Sequence, residues 1–307
     1  MIPQLSIHIV THNSASHITA CLTSVVAQVG ISYDVIVVDN ASQDATVALV
    51  QDFAFVRVVS NRVNRGYSAA HNQALALSNS PYVLTLNPDA TLAPDFAQEI
   101  VHALDRAPAC GSAAGCVLRV EALGQAPHSV DSVGLYLQRN RRQRLHGDGA
   151  PLTSIPHETR LIWGVDGAVA VYRRAMLDDI AVAGEVFDED FFMHKEDVDV
   201  AWRAQAHGWH CLYAPTARAH HIRHFRPGQR QQVTADMRYY GVRNRYLLLL
   251  KNDRWRDVVR DSPFIIAYDL QILVYLLLFE RETLRALVAA WRLRGCMLAK
   301  RKRRSST

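Results

Sequence analysis

The 307-residue chain is 49% hydrophobic and 21% charged, which excludes wholesale disorder and leaves room for a large core. Its formal charge of +5 is modest and uneven, with Lys300, Arg301, Lys302, Arg303 and Arg304 crowded near one end, a run that reads as a solvated tail or a contact for an anionic surface. The five cysteines, Cys21, Cys110, Cys116, Cys211 and Cys296, form no C-x-x-C pair, so a disulfide framework is disfavoured and a reducing compartment is expected; Met1 to His8 shows no secretory signal.

In chain order, Leu5 to Val10 reads as a buried strand ending at Thr11-His-Asn-Ser14, with Ser14 or Ser16 capping a helix to about Val29. Asp34 to Asp39 is a second strand, and its unbroken apolar run suits a parallel sheet covered on both faces. Asn40 to Asp44 turns into a helix, Phe55 to Val59 is a third strand, Asn64-Arg-Gly-Tyr-Ser68 opens a helix through Leu77, and Tyr82 to Leu86 is a fourth strand before a helix opened by Pro94. This alternation predicts an α/β layer structure with right-handed crossovers. Thr11, Asn13, Asp39, Asn40, Asn64 and Asp89 all fall just past apolar strands, where open α/β sheets bind ligands.

From about Gly111 to Trp163 the pattern is irregular and includes the polar run Arg139 to Arg144, read as a mixed, acceptor-side region. Val165 to Tyr172 is a strand, Val198 to His207 a helix, and Trp209 to Tyr213 a short strand before a histidine cluster. After about Arg230 the chain turns helical. Phe264 to Phe279 is an apolar run of 16 residues, short of the roughly 20 that span a bilayer. Leu284, Leu287, Val288 and Trp291 form one stripe, with Arg281, Arg285 and Arg292 off it, an amphipathic helix that either packs on the main domain or lies in the plane of a membrane, the second favoured by the nearby apolar segments and basic tail. The expected organisation is an α/β domain over 1–230, divided near residue 110, and a helical membrane-associating appendage over 231–307.

Two acidic signals suggest a metal-assisted transfer with a separate general base. In Leu84-Thr-Leu-Asn-Pro-Asp89 an apolar strand ends at a carboxylate suited to a hard cation; the structural alternative is a turn residue bonding its own backbone. Asp39-Asn40 suits a base or ribose, or equally a helix cap, and Asn64-Arg-Gly66 places a cation, an amide and a close-approach glycine near a helix start, which suits an anion. Glu196-Asp197 is the base candidate at a helix entry, ionised at neutral pH with an ordinary carboxylate pKa. Asp199 pairs with Arg203 at i, i+4 on the helix surface, and Asp188, Glu189 and Asp190 read as a solvated loop. Of His220, His221 and His224, following the strand, the last two read as ordinary structural histidines. No P-loop, no G-x-G-x-x-G after the first strand and no G-x-S-x-G occurs.

In this order, Ile9-Val-Thr-His-Asn-Ser14, Val37-Val-Asp-Asn-Ala-Ser42, Asn64-Arg-Gly-Tyr67, Leu86-Asn-Pro-Asp89, Trp163-Gly-Val-Asp-Gly-Ala168, Phe192-Met-His-Lys-Glu-Asp197 and Ala219-His-His221 resemble the inverting glycosyltransferases of family 2, and within it the rhamnosyltransferase-like branch. The resemblance covers about residues 4 to 225 and implies a GT-A fold, that is α/β with a mostly parallel central sheet. It implies transfer of a sugar, rhamnose in that branch, from a nucleoside-diphosphate donor to a glycan or polyprenyl-linked acceptor in cell-surface polysaccharide synthesis, at the inner face of the cytoplasmic membrane. By position, Thr11, Asn13, Asp39, Asn40, Asn64, Gly66, Asn87 and Trp163 belong to the nucleotide-sugar site, Asp89 and His220 to a Mg²⁺ or Mn²⁺ ion, and Asp197 with Glu196 to catalysis. Asn87 replaces the first Asp of the family's D-x-D, which removes one negative charge from the metal site. Competing readings are a sugar-1-phosphate nucleotidyltransferase, which calls for a glycine-rich basic loop where Thr11-His-Asn-Ser14 stands, and a non-enzymatic basic module binding nucleic acid through Arg139 to Arg144 and the tail. The second leaves the ordered acidic motifs unused, so no nucleic-acid partner is expected.

Overall fold

Strands β1 (Leu5–Thr11), β2 (Tyr33–Asp39), β3 (Val56–Ser60) and β4 (Tyr82–Leu86) are all parallel and alternate with helices α1 (Ile18–Val26), α2 (Thr46–Gln51) and α3 (Tyr67–Ala76) in this computed structural model, which describes residues 2–223 and 233–304. His224 and the boundary expected near residue 230 lie outside the described residues. The chain continues through β5 (Ala90–Leu92), α4 (Phe96–Asp105), β6 (Cys110–Arg119), β7 (Ser129–Ser132), the hairpin β8 (Leu135–Leu137) and β9 (Gln143–Leu145), β10 (Arg160–Ile162), β11 (Val169–Arg173), α5 (Arg174–Asp179), α6 (Glu196–Ala206) and β12 (His210–His221). The main sheet is ordered β10-β12-β6-β11-β4-β1-β2-β3. β10 and β11 run against the other six strands, so the sheet is mostly parallel, as expected.

The core has two faces because successive strand residues point to opposite sides. Leu5, Ile7 and Ile9 of β1 pack with Ile18, Leu22 and Val25 of α1 and with Phe96, Ile100 and Leu104 of α4. On the other face, Val10, Ile36 and Val38 meet Ala70 and Ala74 of α3, while Tyr172 and Val83 meet Met176 of α5 and Val200 of α6. Each fully buried Leu, Ile, Val or Phe contributes about 1.5–3 kcal/mol, so these two layers hold the parallel strands with their C-terminal ends aligned.

Three expectations change here. β12 runs from His210 through His221, so the histidines lie within the strand; register shifts between Ala214 and Arg218, around Pro215, absorb what reads in sequence as a stop. Helix α6 begins at Glu196, which puts Glu196 and Asp197 in its first turn. Residues 165–168, expected as strand, form a loop that precedes β11.

The C-terminal helices are α7 (Ala235–Asn252), α8 (Trp255–Phe279) and α9 (Arg285–Arg304). Leu247 and Leu248 of α7 and Ala290 and Met297 of α9 share a cluster with Phe191 and Val198, so α7 and α9 pack onto the catalytic domain. α9 buries Ala286, Ala290 and Met297, whose small or flexible side chains permit close approach, and leaves Val288 and Trp291 of the expected stripe exposed. α8 is 25 residues long with Pro263 inside it, longer than the apolar run suggests, and is long and apolar enough by length and composition to cross a membrane. Only 11% of its most apolar window is buried, and Phe264, Ile266, Leu270, Val274, Leu277 and Leu278 face outward.

Arg139 and Arg141 are ion-paired to Asp261, and Arg141 also to Asp253, so the turn of the β8–β9 hairpin fastens the start of α8. The acidic loop is only partly solvated: Glu189 and Asp190 are half-buried, while Asp188 is buried and binds Lys251 at 2.6 Å and Lys300, the first residue of the basic run, at 2.5 Å. Asp199 pairs with Arg203 as expected, but inside the protein, with both side chains at most 1% exposed and Lys251 2.9 Å from the same carboxylate.

Candidate active site

The parallel strands deliver their end residues to one edge. Thr11 stands opposite Asp39 in the register, and its hydroxyl donates to Asp39 Oδ1 at 2.8 Å. Ser42 N–H donates to Asp39 Oδ2 at 2.9 Å, and Asn13, with φ 53°, accepts from Gln43 N–H at 2.8 Å. Asn40 faces inward: its amide donates to Gly66 O at 3.0 Å and accepts from Asn61 at 2.9 Å, which ties β2 to the Asn64–Gly66 loop. Asn64 Oδ1 accepts from Gly66 N–H at 2.9 Å. Gly66 has φ 85°, and a Cβ there would sit 2.6 Å from the Phe192 carbonyl oxygen, so only glycine lets this loop touch the acidic loop.

The Asn87-Pro-Asp89 loop and the Glu196-Asp197 turn meet on the strip Asp166-Gly167-Ala168. Asn87 N–H donates to Ala168 O at 2.9 Å. Asp197 Oδ2 accepts from Gly167 N–H at 3.2 Å, and its Oδ1 accepts from Val198 N–H at 2.7 Å. The Tyr67 hydroxyl lies 3.2 Å from Asn87 Oδ1 and 3.1 Å from Gly167 O, so it bridges the two halves. Tyr67 packs over His71, whose deep burial pushes its pKa down to about 3 and keeps it neutral.

Both acids of the turn are buried. Burial raises the Asp197 pKa, and the nearby Asp166 charge adds to that. Glu196 is raised further, first by burial and then by Asp197, and its Oε2 has no hydrogen-bond partner among the described residues. The expected ordinary carboxylate is therefore replaced by a pair in which burial and mutual repulsion disfavour charge on both acids, and the two backbone N–H bonds to Asp197 favour its ionised form.

The second cluster starts at Asp89. Strand alternation turns His221, not the expected His220, toward it: His221 Nε2 is 3.3 Å from Asp89 Oδ1, and His221 Nδ1 is 2.9 Å from Asp131 Oδ2. Burial opposes charge on the imidazole, but the bonds to Asp131 and Asp89 outweigh it and raise the pKa to about 9. His220, half-buried and paired in register with Thr91, is pushed down by burial. Asp131 is fully buried and also binds Arg119 at 3.0 Å and Arg223 at 2.7 Å; Arg223 in turn pairs with Asp166. A continuous charged chain thus runs Asp89–His221–Asp131–Arg223–Asp166 and ends beside Asp197.

The model of Glycosyl transferase family 2 matches residues 6–180, more than half of the chain. The chain belongs to this family. It is 28% identical over 247 residues to an N-acetylglucosaminyl-diphospho-decaprenol L-rhamnosyltransferase of Mycobacterium tuberculosis, covering 70% of this chain and 75% of that protein. Among solved structures it is similar to GalNAc-T7 with UDP, GalNAc and Mn²⁺ (TM-score 0.62, 14% identity, 81% of this chain), of which it spans about half, 48%. It is also similar to the mannosyltransferase PcManGT of Pyrobaculum calidifontis with GDP-Man and Mn²⁺ (TM-score 0.57, 18% identity, 96% of this chain and 76% of that one). The fold is GT-A, and the protein is a rhamnosyltransferase-like glycosyltransferase.

For this family 2 glycosyltransferase, the structure brings Thr11, Asn13, Asp39, Asn40, Asn64 and Gly66 to one sheet edge, and Asn87 and Asp197 to one strip. Trp163 instead packs edge-to-face on Trp202, and its backbone carbonyl accepts from Gln205 at 2.9 Å. Tyr67, Asp131, Asp166 and Arg223 went unassigned in sequence. Asp166 lies inside a quoted segment, but Asp131 sits in the irregular region with no local signal. The acidic loop itself is strained: Phe192, His194 and Lys195 have φ of 63°, 67° and 71°. Left-handed non-glycine residues cost of order 1–3 kcal/mol each and persist where surrounding structure dictates them.

Proposed function

We propose that the protein moves a sugar, in a single inverting displacement, from a nucleoside-diphosphate donor to a hydroxyl of a lipid-linked acceptor at the membrane surface. The observation that carries this reading is the shared strip: Asp197 and Asn87 bind consecutive residues, Gly167 and Ala168, so the base and the Asn87-Pro-Asp89 loop serve one site. Asp197 takes the proton of the acceptor hydroxyl while that oxygen bonds to the anomeric carbon and the bond to the diphosphate oxygen breaks. Attack from the side opposite the leaving group inverts that carbon.

A divalent cation, Mg²⁺ or Mn²⁺, would be held by Asp89 and by His221 Nε2, whose proton, favoured by Asp89 and Asp131 when no cation is bound, would have to be displaced. No group of three or more His, Cys, Asp or Glu side chains able to hold a metal occurs among the described residues. Two protein ligands suit a hard cation that takes its remaining oxygens from water and a diphosphate. Asp131, bonded to His221 Nδ1, orients the ring as outer-shell carboxylates do for metal-bound histidines. When bound, such a cation offsets the charge that develops on the departing diphosphate.

The relative from M. tuberculosis, named for L-rhamnose transfer to a decaprenyl-diphosphate sugar, supports rhamnose as the donor sugar and a polyprenyl-diphosphate sugar as the acceptor. The exposed apolar face of α8 supports peripheral attachment to the inner face of the cytoplasmic membrane. The test is release of nucleoside diphosphate and formation of an extended lipid-linked product, with Mn²⁺, across a panel of nucleotide sugars. Activity with an L-rhamnose donor and an N-acetylglucosaminyl-diphospho-polyprenol is expected; donor turnover with no product on any lipid-linked acceptor would overturn the acceptor assignment. For the membrane, Leu270→Gln with Leu277→Gln should weaken flotation with anionic vesicles, and unchanged flotation refutes docking by this face.

A further inference from the structure

The loop that presents Glu196 and Asp197 is held by a residue far along the chain. Its consecutive carbonyls from Asp190 to His194 all accept hydrogen bonds from donors on two other elements. At the start of α3, Tyr67 and Ser68 N–H groups donate to Phe192 O at 2.6 and 3.3 Å. From α7, the Asn244 amide nitrogen lies 2.9, 2.7 and 2.8 Å from Phe191 O, Met193 O and His194 O, which share its two N–H groups. Arg243 donates to the carbonyls of Asp190 and Phe191, and its Nε bonds Asn244 Oδ1 at 2.9 Å, which fixes which way the amide points.

Asn244 is completely buried, and its three acceptors flank or belong to the left-handed residues. A backbone in that region relaxes toward ordinary dihedral angles when its carbonyls are released, and relaxation here would swing the first turn of α6. The apolar contacts of α7 and α9 with Phe191 and Val198 fix how close the helix lies, but they are non-directional and do not select these dihedrals.

We propose that Asn244 is a positioning residue for Asp197, acting through the 191–195 backbone, so that the C-terminal helices complete the catalytic site. This inference rests on the transfer reading for its kinetic consequence, but not for its structural one.

The test uses the full chain carrying Asn244→Leu, which keeps the side chain's bulk and removes its donors. Leu276→Ala serves as a control, because Leu276 is a buried contact of α8 with Val242 and Ala286 in a separate cluster from the loop. Hydrogen–deuterium exchange over residues 191–197 should rise about tenfold or more in Asn244→Leu, with β1–β4 unchanged. Turnover should fall about 100-fold, as a small misplacement of a catalytic group does, while donor KM stays within about twofold. Leu276→Ala should show neither effect. Wild-type loop exchange in Asn244→Leu, unchanged turnover despite faster exchange, or an equal loss in Leu276→Ala each overturns the proposal. An inactive wild-type chain would count against the transfer reading alone, since exchange still decides whether Asn244 holds the loop.

Discussion

Replacing Asp197 by Asn separates stability from catalysis. The carboxylate accepts Gly167 N–H at 3.2 Å and Val198 N–H at 2.7 Å. An Asn amide keeps one acceptor and turns its NH₂ toward the other donor, and a buried N–H left without an acceptor costs about 1–3 kcal/mol. Against this, the neutral amide escapes the burial and Asp166 repulsion that disfavour the wild-type charge. The two effects oppose, so the net change in stability stays below about 2 kcal/mol and the fold persists. Turnover loses a general base, a fall of about 10²- to 10⁴-fold, or about 2.7–5.4 kcal/mol of transition-state stabilisation. Glu196→Gln is the internal comparison: burial disfavours charge on Glu196 and its Oε2 has no hydrogen-bond partner among the described residues, so the nearly isosteric amide should lower turnover less than about tenfold. Nucleoside-diphosphate release gives the rates, and calorimetric donor binding checks that the donor pocket survives. Turnover retained in Asp197→Asn, or a loss in Glu196→Gln as large as in Asp197→Asn, would refute the assignment of base and spectator.

The same pair sets a pH dependence. Because folding raises both pKa values, the folded chain keeps protons that the unfolded chain releases, and the stability these groups contribute at low pH is lost as pH rises from the usual carboxylate range through the raised values. Glu196→Gln should therefore raise Tm more at pH 8 than at pH 5, read by calorimetry; an equal change at both values would show that Glu196 is not shifted. Asp89→Ala and His221→Ala should each abolish the metal-dependent part of donor binding, whereas His220→Ala should leave it largely intact; the reverse order in calorimetry would return the histidine role to His220. Lys251→Met leaves the buried carboxylates of Asp188 and Asp199 short of a cation, with Lys300 and Arg203 remaining, and should lower stability by about 3 kcal/mol in urea unfolding. A loss under about 1 kcal/mol would mean that these neighbours compensate fully.

The sequence by itself determined the parallel half of the fold. Its strands are short apolar runs, each followed by polar turn residues, so periodicity places the strands, and the known tendency of such sheets places Thr11, Asp39, Asn40 and Asn64 at one edge. The order and spacing of the acidic motifs marked Asp89 at a strand end and Asp197 at a helix entry, where either alone is weak evidence. Only the tertiary structure decided which histidine faces Asp89, since neighbouring strand residues differ by a half-turn and Pro215 hides the strand's continuation. The charged chain through Asp131 and Arg223 was likewise invisible, because its members are up to 134 residues apart, from Asp89 to Arg223, and meet only when β5, β7 and β12 assemble. The acidic loop looked solvated because its cations, Lys251 and Lys300, come from the C-terminal helices. Burial, which local sequence does not encode, also raised the pKa values of an ordinary-looking Glu-Asp pair.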